Sequence, residues 1–171
     1  SQKDKEILRR LAAEVAEIAA LPVHQEKKEL WKKLNGLERV KPLVYIYQIP
    51  WHEMNVNDEL TLQTESEFCR GLETSLRRTI YQWKHMPGDM VVEPVIKAGP
   101  VIHDTGFGID EKVKVARTDD SSNVVSRDFD AQIEDESDLD KIKMPEVTYD
   151  EAATERRYHL LQDIFADILE V

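Results

Sequence analysis

Titratable side chains follow two apolar, strand-like segments of the chain, and each segment comes after a predicted helix. The segments read YIYQIPWHEMN over Tyr45–Asn55 and DMVVEPVIKAGPVIHDTGFG over Asp89–Gly108. The side chains they deliver are His52, Glu53, Glu93, His103 and Asp104. Parallel strands separated by helices bring such residues to one end of an α/β barrel, where active sites of that architecture lie. The pattern therefore predicts a single catalytic pocket.

His52 and Glu53 directly follow the first segment. A histidine at that place can act as a general base, bind a metal or hydrogen-bond a substrate. We predict that His52 and Glu53 are catalytic and that Trp51 contacts the substrate. The alternative is a loop histidine packed under Trp51. The metalloprotease helix needs a second histidine one turn later, which is absent here, and we predict no metal ligand in this chain.

Glu93 lies within the otherwise apolar run MVVEPVI. Burying a bare carboxylate is costly, so Glu93 must be paired, hydrogen-bonded or protonated, and such groups collect at functional sites. We predict that Glu93 is a partly desolvated catalytic group sharing a pocket with His52. Two alternatives stay open, namely a structural salt bridge to Arg77 or Arg78 and exposure at the end of the strand.

His103 and Asp104 precede two glycines, Gly106 and Gly108, which allow positive φ or a close backbone approach. We predict that both titratable side chains bind substrate on the rim of the pocket, which requires a loop, since neighbours in a regular strand point to opposite faces. The alternative is a glycine-rich turn closed by an Asx-type hydrogen bond. The glycine spacing matches no nucleotide-binding fingerprint.

Helical and extended segments alternate along the chain in a way that favours an α/β fold. Apolar spacing of three and four predicts helices over 3–20, 24–34, 65–84 and from about 150 onwards. β-branched and aromatic runs predict strands over 42–47, 90–96 and 112–116, extended stretches over 101–109 and 124–133, a loop over 119–123 and a short acidic helix from 137. We predict a helical segment over 1–38 and a partial barrel over 39–171.

The composition excludes several classes of protein. A formal net charge of −11 opposes nucleic-acid binding, which needs a basic surface. No run reaches the roughly 18 to 20 apolar residues of a membrane span, and no secretory signal is present. The single cysteine, Cys69, excludes an internal disulfide. We therefore expect a cytoplasmic protein without a membrane or nucleic-acid partner.

Three stretches resemble the N-terminal part of uroporphyrinogen decarboxylase-like proteins. They are GLERVKPLVYIYQIPWHEM over Gly36–Met54, LRRTIYQWKHMPGDMVVEP over Leu76–Pro94 and ESDLDKIKMPEVTYDE over Glu136–Glu151. The similarity is to the divergent anaerobe branch related to corrinoid-dependent methyltransferases. The decarboxylases proper carry an Arg-Gln-Ala-Gly-Arg type motif after the first strand, whereas YQIPWHE over Tyr47–Glu53 contains no arginine.

The resemblance implies the first part of a (β/α)8 barrel and an enzyme of methyl transfer involving a corrinoid protein, or a related decarboxylase or lyase. It also implies a small-molecule substrate, with zinc and a corrinoid partner in the complete protein. The last helix keeps its apolar face up to Val171, so we expect a further strand and a longer natural chain. Open strand edges also predict a homo-oligomer or self-association. The alternative from another class is a non-catalytic acidic α+β interaction module or subunit.

Overall fold

The computed structural model describes residues 1–117 and 125–171. Its helices are α1 (Gln2–Ala19), α2 (Val23–Asn35), α3 (Glu67–His85) and α4 (Glu151–Phe165), with a 3-10 helix over Glu136–Lys141. Its strands are β1 (Ile102–Asp104), β2 (Lys112–Ala116), β3 (Ser126–Asp130) and β4 (Val147–Tyr149). Helices and small sheets are therefore mixed, as the sequence predicts. The predicted loop over 119–123 lies outside the described residues.

The chain forms two compact units. The helical unit comprises Ser1–Ala98 and Tyr158–Val171, and the ribbon unit comprises Gly99–Arg157. This division differs from the predicted boundary at residue 38. The reason is that the apolar stripe of α1 belongs to the same core as residues of α3, so the first helix cannot form a segment of its own.

The core of the helical unit gathers side chains from α1, α3, the segment before Ala98 and the C-terminal residues. Its members are Leu8, Leu11, Ala12, Val15, Ile18, Cys69, Leu76, Ile80, Met90, Val92, Leu161, Ile164, Phe165 and Leu169. The predicted spacing in α1 and after Leu161 is confirmed. In α3 the spacing predicts an apolar face of Phe68, Leu72, Leu76, Ile80 and Trp83. Leu76 and Ile80 are buried, but so are Cys69 and Glu73, while Phe68 is 38% exposed.

Two ion pairs hold α1 to the C-terminal residues. Both terminal guanidinium nitrogens of Arg9 donate to Asp167, at 2.7 and 2.5 Å, and Lys5 donates to Asp163 at 2.7 Å. Hydrogen bonding from Arg9 lowers the pKa of Asp167 to about 2. The first helix is therefore bound to residues that lie more than 150 positions later in the chain.

The predicted strands over 42–47 and 90–96 are extended but do not form a ladder with each other, and no barrel is present among residues 1–117 and 125–171. Side chains hydrogen-bond to backbone amides that a β-ladder would use. The Val44 amide donates to the Asp89 carboxylate at 2.9 Å, and the Val92 amide donates to Nδ1 of His24 at 3.2 Å. Pro94 has no amide hydrogen to offer.

One parallel bridge joins Val95 to Glu170. The Ile96 amide donates to the Glu170 carbonyl at 2.7 Å, and the Glu170 amide donates to the Pro94 carbonyl at 2.8 Å. The sequence predicts helix up to Val171, but α4 ends at Phe165 and Glu170 forms this bridge instead. The strand expected beyond Val171 stays a prediction.

The ribbon unit contains two antiparallel two-stranded ribbons. β1 pairs with β4, with Ile102 opposite Tyr149, and β2 pairs with β3, with Val113 opposite Phe129. The prediction of a strand over 112–116 is confirmed, and β3 lies within the predicted extended stretch over 124–133. No described residue of this unit is buried, and its strands are exposed throughout.

Candidate functional site

Glu93 lies in an open groove beside α2, which we call the α2 groove. The groove has a volume of about 610 Å³ and is lined by Lys28, Trp31, Lys32, Asn35, Tyr45, Val91 and Glu93. Met90 and Val92 enter the core, so the alternation of an extended backbone turns Val91 and Glu93 the other way. The groove therefore combines aromatic walls with cationic, amide and carboxylate groups.

Hydrogen bonds from α2 hold the floor of this groove. Trp31 donates through Nε1 to the Asp89 carbonyl at 2.8 Å, and Lys27 donates to the Gly88 carbonyl at 2.9 Å. Asp89 is also bound by Lys41 at 2.9 Å. The Val44 amide, and then Lys41, lower the pKa of Asp89. These bonds fix the extended backbone against α2 and so position Glu93.

The Glu93 carboxylate is 58% exposed and lies 3.0 Å from the Lys28 ammonium. More than half of the Glu93 side chain is therefore in solvent at an open groove, and its partly desolvated catalytic role stays a prediction. Glu93 does form a salt bridge, as the alternative predicted, but its partner is Lys28 of α2 and not Arg77 or Arg78.

Trp51 packs on α3, and His52 and Glu53 follow it in the chain. Pro50 is followed by a turn in which the Glu53 amide donates to the Pro50 carbonyl at 2.9 Å. The Arg78 guanidinium lies 4.9 Å from the Trp51 ring centroid, and Tyr81 meets the same ring edge-on at 6.1 Å. His52 is 16% exposed, with Nε2 3.3 Å from the Glu53 carboxylate.

These contacts favour the alternative interpretation, in which Trp51 is a packing residue and His52 is a loop histidine beside it. Glu93 faces a groove on α2, whereas the Trp51 ring packs on α3.

His103 and Asp104 lie in β1, so their side chains point to opposite faces and do not share a pocket as predicted. His103 is 67% exposed and lies 3.7 Å from the Asp150 carboxylate. Asp104 accepts a hydrogen bond from the Gly106 amide at 2.8 Å. The alternative of an Asx-type turn is thus confirmed, and Gly106 and Gly108 have the positive φ values that this turn needs, 66° and 77°.

Sequence reasoning missed a buried carboxylate at Glu73, which is fully enclosed. It accepts hydrogen bonds from the Gln63 amide at 2.9 Å, the Thr64 amide and hydroxyl at 2.8 Å, and Arg77 at 2.7 Å. Burial acts to raise the pKa of Glu73, but these donors outweigh it and the pKa is lowered. The Glu73–Arg77 spacing of four within α3 is the signal that could have revealed the pair.

The other singled-out residues have structural surroundings. Cys69 is buried in the core, and His85 contacts Glu59 at 2.8 Å near the end of α3. Over the residues that the structure describes, no cluster of three or more His, Cys, Asp or Glu side chains could hold a metal ion. No described helix has both the length and the apolar character needed to cross a membrane.

Comparisons of this chain with protein-family models, with characterised proteins and with solved structures find no match.

Proposed function

We propose that this chain is the N-terminal part of an α/β enzyme of the uroporphyrinogen decarboxylase-like type, acting in methyl transfer with a corrinoid protein or in a related decarboxylase or lyase reaction. The observation that supports this proposal is the parallel bridge between Val95 and Glu170. It joins the extended residues after α3 to those after α4, which is the pairing that begins a βαβ sheet. The resemblance of the three stretches supplies the reaction class.

The α2 groove is the proposed substrate site. Trp31 and Tyr45 offer apolar faces for a small organic substrate, and Lys28 and Lys32 attract its negative charge. Glu93 donates a proton to the group left behind when the methyl group or carbon dioxide departs from the bound substrate, and the adjacent Lys28 ammonium stabilises the carboxylate that forms. Trp51, His52 and Glu53 remain candidates for a second wall of the site in the complete barrel.

The zinc implied by the resemblance has no set of ligands among the described residues. Zinc requires a set of nitrogen, sulfur or oxygen ligands at one point, and the described part of the chain brings no such set together. The proposal therefore assigns to this chain the binding of substrate and the handling of a proton at Glu93.

The decisive experiment replaces Glu93 by Gln in the product of the natural reading frame. The assay follows methylation of free cob(I)alamin by its absorbance with a panel of methylated substrates. We expect at least about a tenfold loss of turnover, since the positioned acid–base group is removed while the shape is kept. Glu14→Gln is the matched control, because Glu14 also pairs with a lysine, Lys84, and neither residue of that pair lines the groove. Equal turnover in both variants would refute the assignment of Glu93.

The second candidate function is the non-catalytic acidic interaction module. The observation that favours it is the ribbon unit, in which no described residue is buried although the unit spans Gly99–Arg157. A unit of that size normally encloses a core of its own or covers its apolar side chains with another surface. Absence of methyl transfer and of decarboxylation by the natural gene product, with retained protein binding, would favour this candidate.

A further inference from the structure

The β2–β3 ribbon is amphipathic and its apolar face is open. Side chains alternate along each strand, so Val113 and Val115 share one face with their cross-strand partners Phe129 and Arg127. Val113 is 36%, Val115 48% and Phe129 57% exposed. The opposite face is polar and is closed by an ion pair between Lys114 and Asp130 at 3.0 Å. The ribbon therefore separates an apolar face from a charged face without covering the former.

The β1–β4 ribbon repeats this arrangement. Ile102 is paired with Tyr149 and Asp104 with Val147, which places the apolar members of these pairs on one face. Ile102 is 55%, Val147 61% and Tyr149 59% exposed. Two-stranded ribbons are marginally stable in water without a packing partner. Two ribbons of one unit that both expose their apolar face indicate an interaction surface.

The charge of the ribbon unit decides what can cover that surface. Residues 99–157 contain sixteen acidic and eight basic side chains, so they carry −8 of the net charge of −11. If the same face of two copies came together, two ribbon units that each carry −8 would lie against each other, which is electrostatically unfavourable. A surface of opposite charge is attracted by the same field.

We propose that the apolar ribbon faces dock a protein partner that presents an apolar patch edged by lysine and arginine. This inference rests on the second candidate function and names the chemistry of its partner. Phe129 and Tyr149 provide the large aromatic side chains that anchor such contacts, and the acidic surroundings set the preference for a cationic rim.

The test measures binding of two fluorescent helical peptides to the full chain by anisotropy. Both peptides carry leucines on one face, and the other face carries lysine in the first and glutamate in the second. We expect the lysine peptide to bind at least about tenfold more tightly, with affinity falling as salt rises. Phe129→Ser should weaken that binding about tenfold or more, as loss of an aromatic anchor does.

Two variants keep this test interpretable. Ala116→Ser introduces a hydroxyl on the opposite face of β2 and should leave peptide affinity unchanged. Val115→Thr makes the apolar face more polar but keeps the β-branched shape that suits a strand, so the ribbon should stay folded. Weaker peptide binding by this variant would therefore report on the apolar face, even if Phe129→Ser disturbs the ribbon.

Each contrary outcome has a definite meaning. Equal binding of the two peptides, or preference for glutamate, overturns the cationic partner and leaves the interaction module standing. If neither peptide binds, both the cationic partner and the interaction module are overturned. A concentration-dependent dimer that Phe129→Ser abolishes identifies a second copy as the occupant and also overturns the proposal.

Discussion

At the scale of single residues, Glu73 is the carboxylate on which the loop before α3 depends. It receives two backbone amides, one hydroxyl and one guanidinium while fully enclosed. Glu73→Gln keeps the shape but removes the charge that Arg77 neutralises. Breaking a buried pair typically costs about 3–5 kcal/mol, so urea unfolding should show a loss near the lower value. Glu14→Gln breaks only the exposed pair with Lys84 and should cost less than about 1 kcal/mol.

The pH dependence associated with Glu73 has a defined sign. Its pKa is lower in the folded state than in the unfolded chain, so its stabilisation is complete above the ordinary glutamate pKa of about 4.3. That stabilisation is lost as the pH falls through the folded-state pKa. The wild-type chain should therefore lose more stability than Glu73→Gln below about pH 4.3, and parallel acid titrations of the two would contradict this.

His24 should respond to pH over a different range. It is 2% exposed, its Nδ1 accepts the Val92 amide, and its ring lies 4.6 Å from that of Trp83. Burial, followed by the charge of Lys27, lowers its pKa. The folded state therefore binds a proton less readily than the unfolded chain, and stability should fall as the pH drops below about 6.5.

Urea unfolding between pH 7.5 and 5 measures this effect. His24→Gln should flatten the pH dependence, since glutamine does not titrate and still offers an acceptor. His159→Gln should keep the wild-type slope because His159 is exposed. An unchanged slope in His24→Gln would show that another group is responsible.

Residue identities indicated which side chains could do chemistry, but not what surrounds them. Glu93 was correctly expected to have a partner, yet that partner comes from α2, far from the arginines that α3 offers. Glu73 was missed because its environment depends on how residues 63–64 return to α3. The Glu93–Lys28 contact joins distant parts of the chain, and the enclosure of Glu73 depends on the course of a loop, so neither leaves a periodic signal.

At the scale of elements, the segment over 42–47 depends on the glycine turn before Met90. Gly88 has a φ of 46°, and a Cβ at this position would lie 2.7 Å from the Val44 carbonyl oxygen. Gly88→Ala should therefore separate the two segments and cost about 1–3 kcal/mol. Thermal unfolding and tryptophan fluorescence of Trp31, whose indole binds the Asp89 carbonyl, would detect the change.

Gly71→Ala is the matched control for this substitution. Gly71 lies within α3 with no atom close to its added Cβ, so alanine should stabilise the helix by up to about 1 kcal/mol. If both variants are destabilised, any added Cβ is harmful. If Gly88→Ala lowers the free energy of unfolding and Gly71→Ala raises it, the clash is specific to Gly88.

Helices α1 and α3 could be predicted from spacing because their burial is periodic, and β2 could be predicted from its strict alternation. The apolar runs over 42–47 and 90–96 also suggested strands, but a strand requires a neighbour that takes its backbone hydrogen bonds. Here Asp89 and His24 take two of those bonds, and local propensity cannot reveal such competition.

At the scale of the whole molecule, the two units should differ in local stability. The helical unit contains a core of buried side chains, while no described residue of the ribbon unit is buried. Backbone amides of β1 to β4 should therefore exchange with deuterium much faster than those in the centres of α1 and α3. Mass spectrometry of peptic fragments would measure this. Equal protection in both units would indicate that the ribbons are covered by association, and dilution should then restore the difference.

The binding of Arg9 to Asp167 has a consequence for the order of synthesis. The helical unit is interrupted in sequence by the ribbon unit, so α1 leaves the ribosome well before Asp163 and Asp167 have been made. At roughly 5–20 residues per second, the interval between residues 98 and 167 lasts on the order of 4 to 14 seconds. During that time the apolar stripe of α1 lacks Leu161, Ile164 and Phe165, and a chaperone that shields exposed helices has its longest opportunity to bind there.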